Sequence, residues 1–138
     1  MMDILTKNFI RIRIAKYLQE LNHSWNDIVG WYIRAIEEFD RVEPYVHLAN
    51  HYALKQKWNL CYLYSSAACR LKYPTDSLLF IDNFMYEYTR YRLVAISAFY
   101  VGEFEEGEKA SKIILSKNID PIEDKKIMQF YIDRKIKK

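Results

Sequence analysis

Apolar residues recur every three or four positions along most of this chain, and polar residues fill the intervals between them. That period places the apolar side chains on one face of a helix. The first such stretch lies near 4–21, and its apolar stripe consists of Ile10, Ile14, Tyr17, Leu18 and Leu21. Stretches of the same kind follow near 24–39, 43–56, 58–72, 84–101, 103–116 and 121–136. The pattern therefore predicts seven helices and an all-α chain.

Several helix ends are marked by residues that favour them. Ser24 is the expected N-cap of the second helix, and Asp27 completes an acidic variant of the capping box. Asp120, Pro121 and Glu123 read as N-cap, first-turn proline and capping-box acid of the last helix. Tyr73-Pro74 is expected to end the fourth helix, because the residue before a proline avoids helical geometry.

A set of aromatic and small residues recurs at the interval of about one helical hairpin. The first copy consists of Trp25, Ile28, Tyr32 and Ala35. The second, 33 residues later, consists of Trp58, Cys61, Ser65 and Ala68. The third, a further 46 residues along, consists of Phe104, Gly107, Ser111 and Ile114. Two antiparallel helices of about 13 residues with two short turns occupy about 34 residues, so the predicted unit is a helix pair.

One hairpin cannot bury its apolar face alone, so neighbouring hairpins are expected to stack. We expect antiparallel helical hairpins stacked as a short, right-handed, tetratricopeptide-like solenoid with a C-terminal capping helix. The length of 138 residues fits a single domain, 1–138. Its expected parts are repeats near 9–40, 42–74 and 88–118, an insertion over 75–87 and a cap over 121–137.

The first repeat departs from the other two. It carries Ala15, Lys16 and Gln19 where the other copies carry apolar or small residues. The pattern is therefore a degenerate form of the tetratricopeptide repeat.

The composition agrees with a helical, loop-poor domain. The chain has only three Gly and three Pro, and 51% of its residues are hydrophobic. Aromatic residues make up 16%, and twelve of them are Tyr. Two readings of these tyrosines stay open, a Tyr-rich core and a Tyr-lined binding groove.

Charge and cysteine content bear on location and partners. The net charge is +3, and the main basic cluster, Arg134, Lys135, Lys137 and Lys138, is expected to complement a helix C-terminus. No nucleic-acid-binding motif accompanies it, so no nucleic-acid partner is expected. No apolar run of 18 residues occurs, so we expect no membrane insertion and a cytoplasmic protein. Cys61 and Cys69 are about 12 Å apart along one predicted helix, too far for a disulfide.

The sequence offers little catalytic chemistry. Glu43, His47 and His51 share one predicted helix face, an arrangement open to a metal site but more typical of surface or hydrogen-bonded histidines. No glycine-rich phosphate loop, Gly-X-Ser-X-Gly motif or Cys-X-X-Cys motif occurs. We therefore predict no enzyme activity, no catalytic residue, no metal site and no cofactor.

The first helix of each hairpin is expected to line the concave surface of the stack. A groove of this kind can hold an extended peptide or a C-terminal carboxylate through charge-assisted hydrogen bonds. The alternative is that its arginines pair with neighbouring Glu side chains. The predicted partner-binding residues are Arg13, Tyr17, Glu20, Glu43, His47, Asn50, Arg92, Ile96 and Phe99.

Four motifs carry a more specific resemblance. They are Arg41 to Ala49, Trp58 to Tyr64, Leu79-Phe80-Ile81-Asp82 and Tyr100 to Gly107. Their order resembles the helical region that follows the catalytic domain in some family-two glycosyltransferases of bacteria and giant viruses, over residues 10 to 132. The resemblance implies association with glycan synthesis. None of the eight Asp residues forms the Asp-X-Asp pair with which such enzymes hold a metal, so the chain resembles the accessory region alone.

Three functional hypotheses follow. The favoured one is a noncatalytic adaptor or scaffold that binds a protein or peptide partner, with a glycosyltransferase or another glycan-pathway enzyme as a candidate. The second is a structural module that self-associates as a homodimer, because an incomplete stack leaves an exposed end face. The third is a glycosyltransferase-related activity whose catalytic domain lies elsewhere.

Overall fold

The computed structural model describes residues 3–73 and 81–136, and these residues form helices with no strand among them. The all-α prediction is confirmed. The predictions for Pro74, for the motif residues Leu79 and Phe80, and for Lys137 and Lys138 lie outside the described residues. The helices are α1 (Ile4–Glu20), α2 (Trp25–Glu38), α3 (Val42–Leu54), α4 (Trp58–Arg70), α5 (Arg90–Val101), α6 (Phe104–Lys117) and α7 (Pro121–Ile136).

The turns inside the three helix pairs share one backbone feature. Asn22 between α1 and α2, Gln56 between α3 and α4, and Gly102 between α5 and α6 all have positive φ. A left-handed residue reverses the chain directly after a helix. The same turn design therefore closes each pair.

Ser24, the predicted N-cap of α2, donates a hydrogen bond from its hydroxyl to the Asp27 carboxylate over 2.9 Å.

The sequence repeat corresponds to equivalent positions in α2, α4 and α6. Its aromatic members Trp25, Trp58 and Phe104 are the first residues of these three helices. The remaining members are all buried: Ile28, Tyr32, Ala35, Cys61, Ser65, Ala68, Gly107, Ser111 and Ile114. The repeat thus marks the second helix of each hairpin and its buried face. The right-handed superhelical stacking and the repeat boundaries stay predictions.

Each helix packs against the next one along the chain, and α5 also contacts α3 and α7. Three clusters of buried apolar residues result, one centred on α1 and α2, one on α3 and α4, and one on α5 and α6. Because α5 contacts four other helices, it occupies the centre of the second half of the molecule.

A π-helical turn, Met85–Thr89, runs directly into α5. The sequence pattern predicts a uniform α-helix from residue 84, and the π-helical turn occupies residues 85–89 of that stretch. The buried Arg90 side chain donates from Nε to the Tyr86 carbonyl (2.6 Å) and from one terminal nitrogen to the carbonyls of Ala68 (3.0 Å) and Leu71 (2.6 Å). Carbonyls at a helix C-terminus lack partners within the helix. Arg90 therefore supplies hydrogen-bond donors to the carbonyls at the end of α4 and links α4 to the π-helical turn.

Several tyrosines belong to the core. Tyr32, Tyr86, Tyr88 and Tyr131 are each at most 4% exposed. Their hydroxyl groups are hydrogen-bonded: Tyr32 donates to Gln19, Tyr88 to the Asp124 carboxylate (2.8 and 3.0 Å) and Tyr131 to the Ala95 carbonyl. Buried tyrosines ordinarily find such partners. The core reading of the tyrosines holds for these four.

Both cysteines are free thiols. Burial raises the pKa of Cys61 to about 11 and that of Cys69 to about 12. Such thiols stay protonated near neutral pH and are poor nucleophiles. They act as small packing residues of α4.

Candidate functional site

Three of the predicted binding residues, Arg13, Glu43 and His47, line one cleft between α1 and α3. We call it the α1–α3 cleft, and its volume is about 110 Å³. Residues from two different helix pairs therefore meet there. The other lining residues are Phe9, Ile12, Lys16, Arg41, Asp82 and Met85.

The cleft opens toward a wider hollow of about 650 Å³. Phe9, Arg13 and Asp82 line both spaces, and Ile81 and Asn83 complete the outer one. A ligand seated in the cleft can thus continue outward over the surface.

The α1 side of the cleft carries two cations. Arg13 donates to the Tyr17 hydroxyl over 3.2 Å, and its guanidinium lies 5.0 Å from the centre of the Tyr17 ring. Neither Arg13 nor Lys16 has a carboxylate within 4 Å among residues 3–73 and 81–136. The pairing of Arg13 with a neighbouring Glu, considered from the sequence, is therefore not seen in the described part of the chain.

A buried ion pair lies beside these cations. Arg41 is 1% exposed and Glu43 is 5% exposed. Arg41 donates from Nε to Glu43 Oε2 over 2.9 Å, and a terminal guanidinium nitrogen contacts the same oxygen. The Glu43 Oε1 atom is closed to water, and the Tyr86 hydroxyl lies beside the Glu43 carboxylate. The nearby Tyr86 hydroxyl accepts the Val42 N–H over 3.3 Å, so the π-helical turn also packs against this pair.

His47 lies between the ion pair and α2. Its ring stacks on Tyr32 with the ring centres 5.2 Å apart. The pKa of His47 is lowered to about 4, chiefly by burial and also by the Lys16 charge, while the Asp82 charge opposes the shift. His47 is therefore neutral near pH 7 and contributes one N–H donor and one acceptor to the cleft.

The depressed pKa of His47 predicts a loss of stability in acid. The unfolded chain, with a histidine pKa near 6.5, binds the proton more readily than the folded chain. The free energy of unfolding should therefore fall as the pH falls from 7 to about 4.5, by roughly 2 kcal/mol from this group. Urea unfolding at several pH values measures the change.

His47→Gln is the control for this prediction, because it removes the titrating group and leaves the carboxylates unchanged. The variant should lose less stability than the wild type over the same pH range. Equal losses in the two proteins would contradict the assignment of a buried, neutral His47.

The other predicted binding residues lie elsewhere. Tyr17, Glu20 and Asn50 are exposed, and Arg92 is partly buried on α5. Ile96 and Phe99 line a separate apolar hollow of about 50 Å³ between α5 and α7. They do not line the α1–α3 cleft. A single groove formed by all nine residues stays a prediction, and the structure brings three of them together in one cleft.

The two histidines of α3 both make aromatic contacts. His51 stacks on Trp25 with the ring centres 3.4 Å apart and the planes within 3°. His47 stacks on Tyr32. Within the described ranges, no group of three His, Cys, Asp or Glu residues is placed to hold a metal ion.

Sequence reasoning missed Lys16, Arg41 and Asp82 as members of the cleft. For Lys16 a signal existed, because it replaces a small or apolar residue of the other repeats. Arg41 and Asp82 lie outside the helices, directly before α3 and before the π-helical turn. Only the tertiary structure brings them to α1.

Comparison of the chain with protein-family models, curated proteins and solved structures finds no match in any of the three. Among the described residues, no helix combines the length and apolar character needed to cross a membrane.

Proposed function

We propose that this chain is a noncatalytic helical-repeat adaptor that binds a segment of a protein partner across the α1–α3 cleft. The observation that carries the proposal is the meeting of Arg13 and Lys16 from the first hairpin with Glu43 and His47 from the second. Hairpin repeats commonly present residues of successive units on one binding surface.

The electrostatics of the cleft favour binding by polar contacts. Arg13 and Lys16 have no carboxylate partner in the described part of the chain, so they are available to a ligand. An arginine can bind a carboxylate through two parallel hydrogen bonds. The wider hollow beyond the cleft gives an extended segment room to continue.

The titratable groups support a noncatalytic role. A general base works best with a pKa near the operating pH, and burial lowers that of His47 to about 4. Both thiols have raised pKa values and lack nucleophilic character near neutral pH. These features favour binding over acid–base or thiol catalysis.

The identity of the partner and the location of the protein are further parts of the proposal. The resemblance to the accessory region of family-two glycosyltransferases makes a glycan-synthesis enzyme the first candidate partner. The free state of both cysteines agrees with a reducing, cytoplasmic location.

A second candidate function is self-association through α7. Ile122 is 71% exposed, Phe130 56% and Ile136 74%. Exposed apolar side chains on a terminal helix favour a covering partner. Sedimentation at increasing protein concentration, with Phe130→Ser as the variant, distinguishes a homodimer from a monomeric adaptor.

Peptides selected from a random display library against the wild-type protein test the adaptor function. Selected peptides should bind Arg13→Gln/Lys16→Gln at least about tenfold more weakly, because two charge-assisted contacts are lost. Isothermal titration calorimetry measures the affinities, and circular dichroism checks that the variants are equally helical.

Lys7→Gln/Lys125→Gln is the matched control, because it removes two exposed positive charges outside the cleft. It should bind the selected peptides as the wild type does. Equal weakening in both double variants would indicate general charge attraction, and unchanged binding by Arg13→Gln/Lys16→Gln would overturn the assignment of the cleft.

A further inference from the structure

Charges of both signs border the α1–α3 cleft. Arg13 and Lys16 come from α1, and Asp82 comes from the segment before the π-helical turn. Asp82 is exposed, and its Oδ1 accepts the Met85 N–H over 3.2 Å. The charges of Lys16 and Asp82 shift the pKa of His47 in opposite directions, so both act on the same ring. The cleft is thus lined by two cationic donors and one anionic acceptor.

The buried ion pair lines the cleft but offers it no free acceptor. The Arg41 guanidinium donates to Oε2 of Glu43. The Tyr86 hydroxyl lies beside the same carboxylate, and Oε1 is closed to water. Asp82 is therefore the acceptor that the cleft presents to a ligand.

The size of the cleft limits what it can hold. An apolar cavity of about 150 Å³ accommodates benzene, which has six non-hydrogen atoms. The α1–α3 cleft, with about 110 Å³, therefore has room for a group of about that size or slightly smaller. The carboxylate, α-carbon and ammonium of an amino acid make such a group.

We propose that the α1–α3 cleft binds a zwitterionic group, with its carboxylate on Arg13 and Lys16 and its ammonium on Asp82. The group comes either from a free amino acid or from adjacent basic and acidic side chains on a partner segment. The inference rests on the proposed function in using the same cleft, and it adds the chemistry of the ligand.

Small probes that carry one or both charges test the pairing. Glycine and β-alanine carry both charges, acetate carries the anion alone and methylammonium carries the cation alone. Titration of each probe, followed through the NMR signals of the His47 ring, gives the affinities. We expect glycine or β-alanine to bind about tenfold more tightly than either singly charged probe, because the second charge adds a charge-assisted contact.

Variants identify the groups responsible. Arg13→Gln/Lys16→Gln should weaken glycine binding about tenfold, and Asp82→Asn should reduce the advantage of glycine over acetate. Lys7→Gln/Lys125→Gln, which removes two exposed charges elsewhere, should leave glycine binding unchanged. Since Arg13, Lys16 and Asp82 are at least partly exposed, these changes should leave the fold intact.

A blocked dipeptide separates the two sources of the ligand. If acetyl-Lys-Glu-amide binds at least as tightly as glycine, and acetyl-Gln-Glu-amide binds more weakly, side chains of a partner segment supply the group. If glycine binds and the dipeptide does not, a free amino acid supplies it. Either result supports a zwitterion site.

Acetate that binds as tightly as glycine would overturn the inference in favour of a simple anion site. It would also be overturned if none of the probes shifted the His47 signals at roughly 50 mM, a concentration that detects even millimolar affinities. If display-selected peptides still depended on Arg13 and Lys16 in that case, the adaptor function would stand without the zwitterion site.

Discussion

Gly107→Ala should destabilise the protein by roughly 3 kcal/mol or more, although alanine is the better helix former. Gly107 lies in the first turn of α6, and the Tyr131 ring of α7 packs directly against it. A β-carbon at Gly107 would lie 1.9 Å from the Tyr131 hydroxyl oxygen and 2.4 Å from the ring carbon that carries it. Tyr131 is 2% exposed and donates to the Ala95 carbonyl, so displacement of its ring would break a buried hydrogen bond. Urea unfolding of wild type and variant measures the difference.

Gly30→Ala is the matched control for this prediction. Gly30 is also helical, in α2, and a β-carbon there would have no atom within 4 Å. Its replacement should therefore stabilise the protein by about 0.5 to 1 kcal/mol. Stabilisation by Gly107→Ala of the same size would contradict the close packing of α7 on α6.

Hydrogen exchange shows where the strain of Gly107→Ala is relieved. If the ring of Tyr131 is displaced, amide protection should fall first in α7, which packs on α6 and less closely on α5. Tyr131→Phe should not rescue the variant, because two ring carbons would still lie 2.4 and 2.7 Å from the new β-carbon. The third repeat thus carries glycine at position 107 because the Tyr131 side chain of the C-terminal helix α7 packs against it.

The helices and their buried faces could be predicted from the sequence because both depend on local signals. Trp25, Trp58 and Phe104 recur at equivalent positions, and each begins the second helix of its pair. Periodic apolar residues indicate a helix and its inner face without knowledge of its neighbours. Neither signal describes how one helix pair is placed on the next, so the superhelical arrangement could not be derived in the same way.

The site was only partly predictable for the same reason. The sequence pattern predicts that Arg13, Glu43 and His47 share one surface, and they line one cleft. Arg41 and Asp82 come from segments between helices, where no periodic pattern fixes the direction of a side chain. A charged residue in such a segment is normally solvated. Arg41 is buried beside Glu43, two residues later, where Tyr86 of the π-helical turn packs against the pair.

The third hairpin shows a contact that the repeat pattern does not predict. The register of α5 places Ile96 and Phe99 on the expected concave surface. The structure places both beside α7, and the Phe99 ring meets Phe130 at 5.5 Å and Tyr131 at 5.6 Å. The repeat pattern describes the helix pairs alone, so it could not predict the contact of Phe99 with the terminal helix.

Glu43→Leu should destabilise the protein by about 3 to 5 kcal/mol, because it removes the carboxylate that accepts from the buried Arg41 guanidinium. Arg41 and Glu43 are 1% and 5% exposed, so water cannot replace the lost partner without local opening of the structure. Arg41→Met should have a cost of similar size, since it leaves the Glu43 carboxylate buried. Urea unfolding of both single variants measures these effects.

The double variant Arg41→Met/Glu43→Leu decides whether the two residues act as a pair. Apolar side chains of similar volume can replace a buried ion pair at little net cost, so the double variant should be more stable than either single variant. Destabilisation equal to the sum of the single effects would contradict a coupled buried pair.

If the double variant folds, its affinity for the selected peptides separates the two roles of Glu43. Retained binding would assign the pair to the fold alone, and lost binding would make its charges part of the recognition surface.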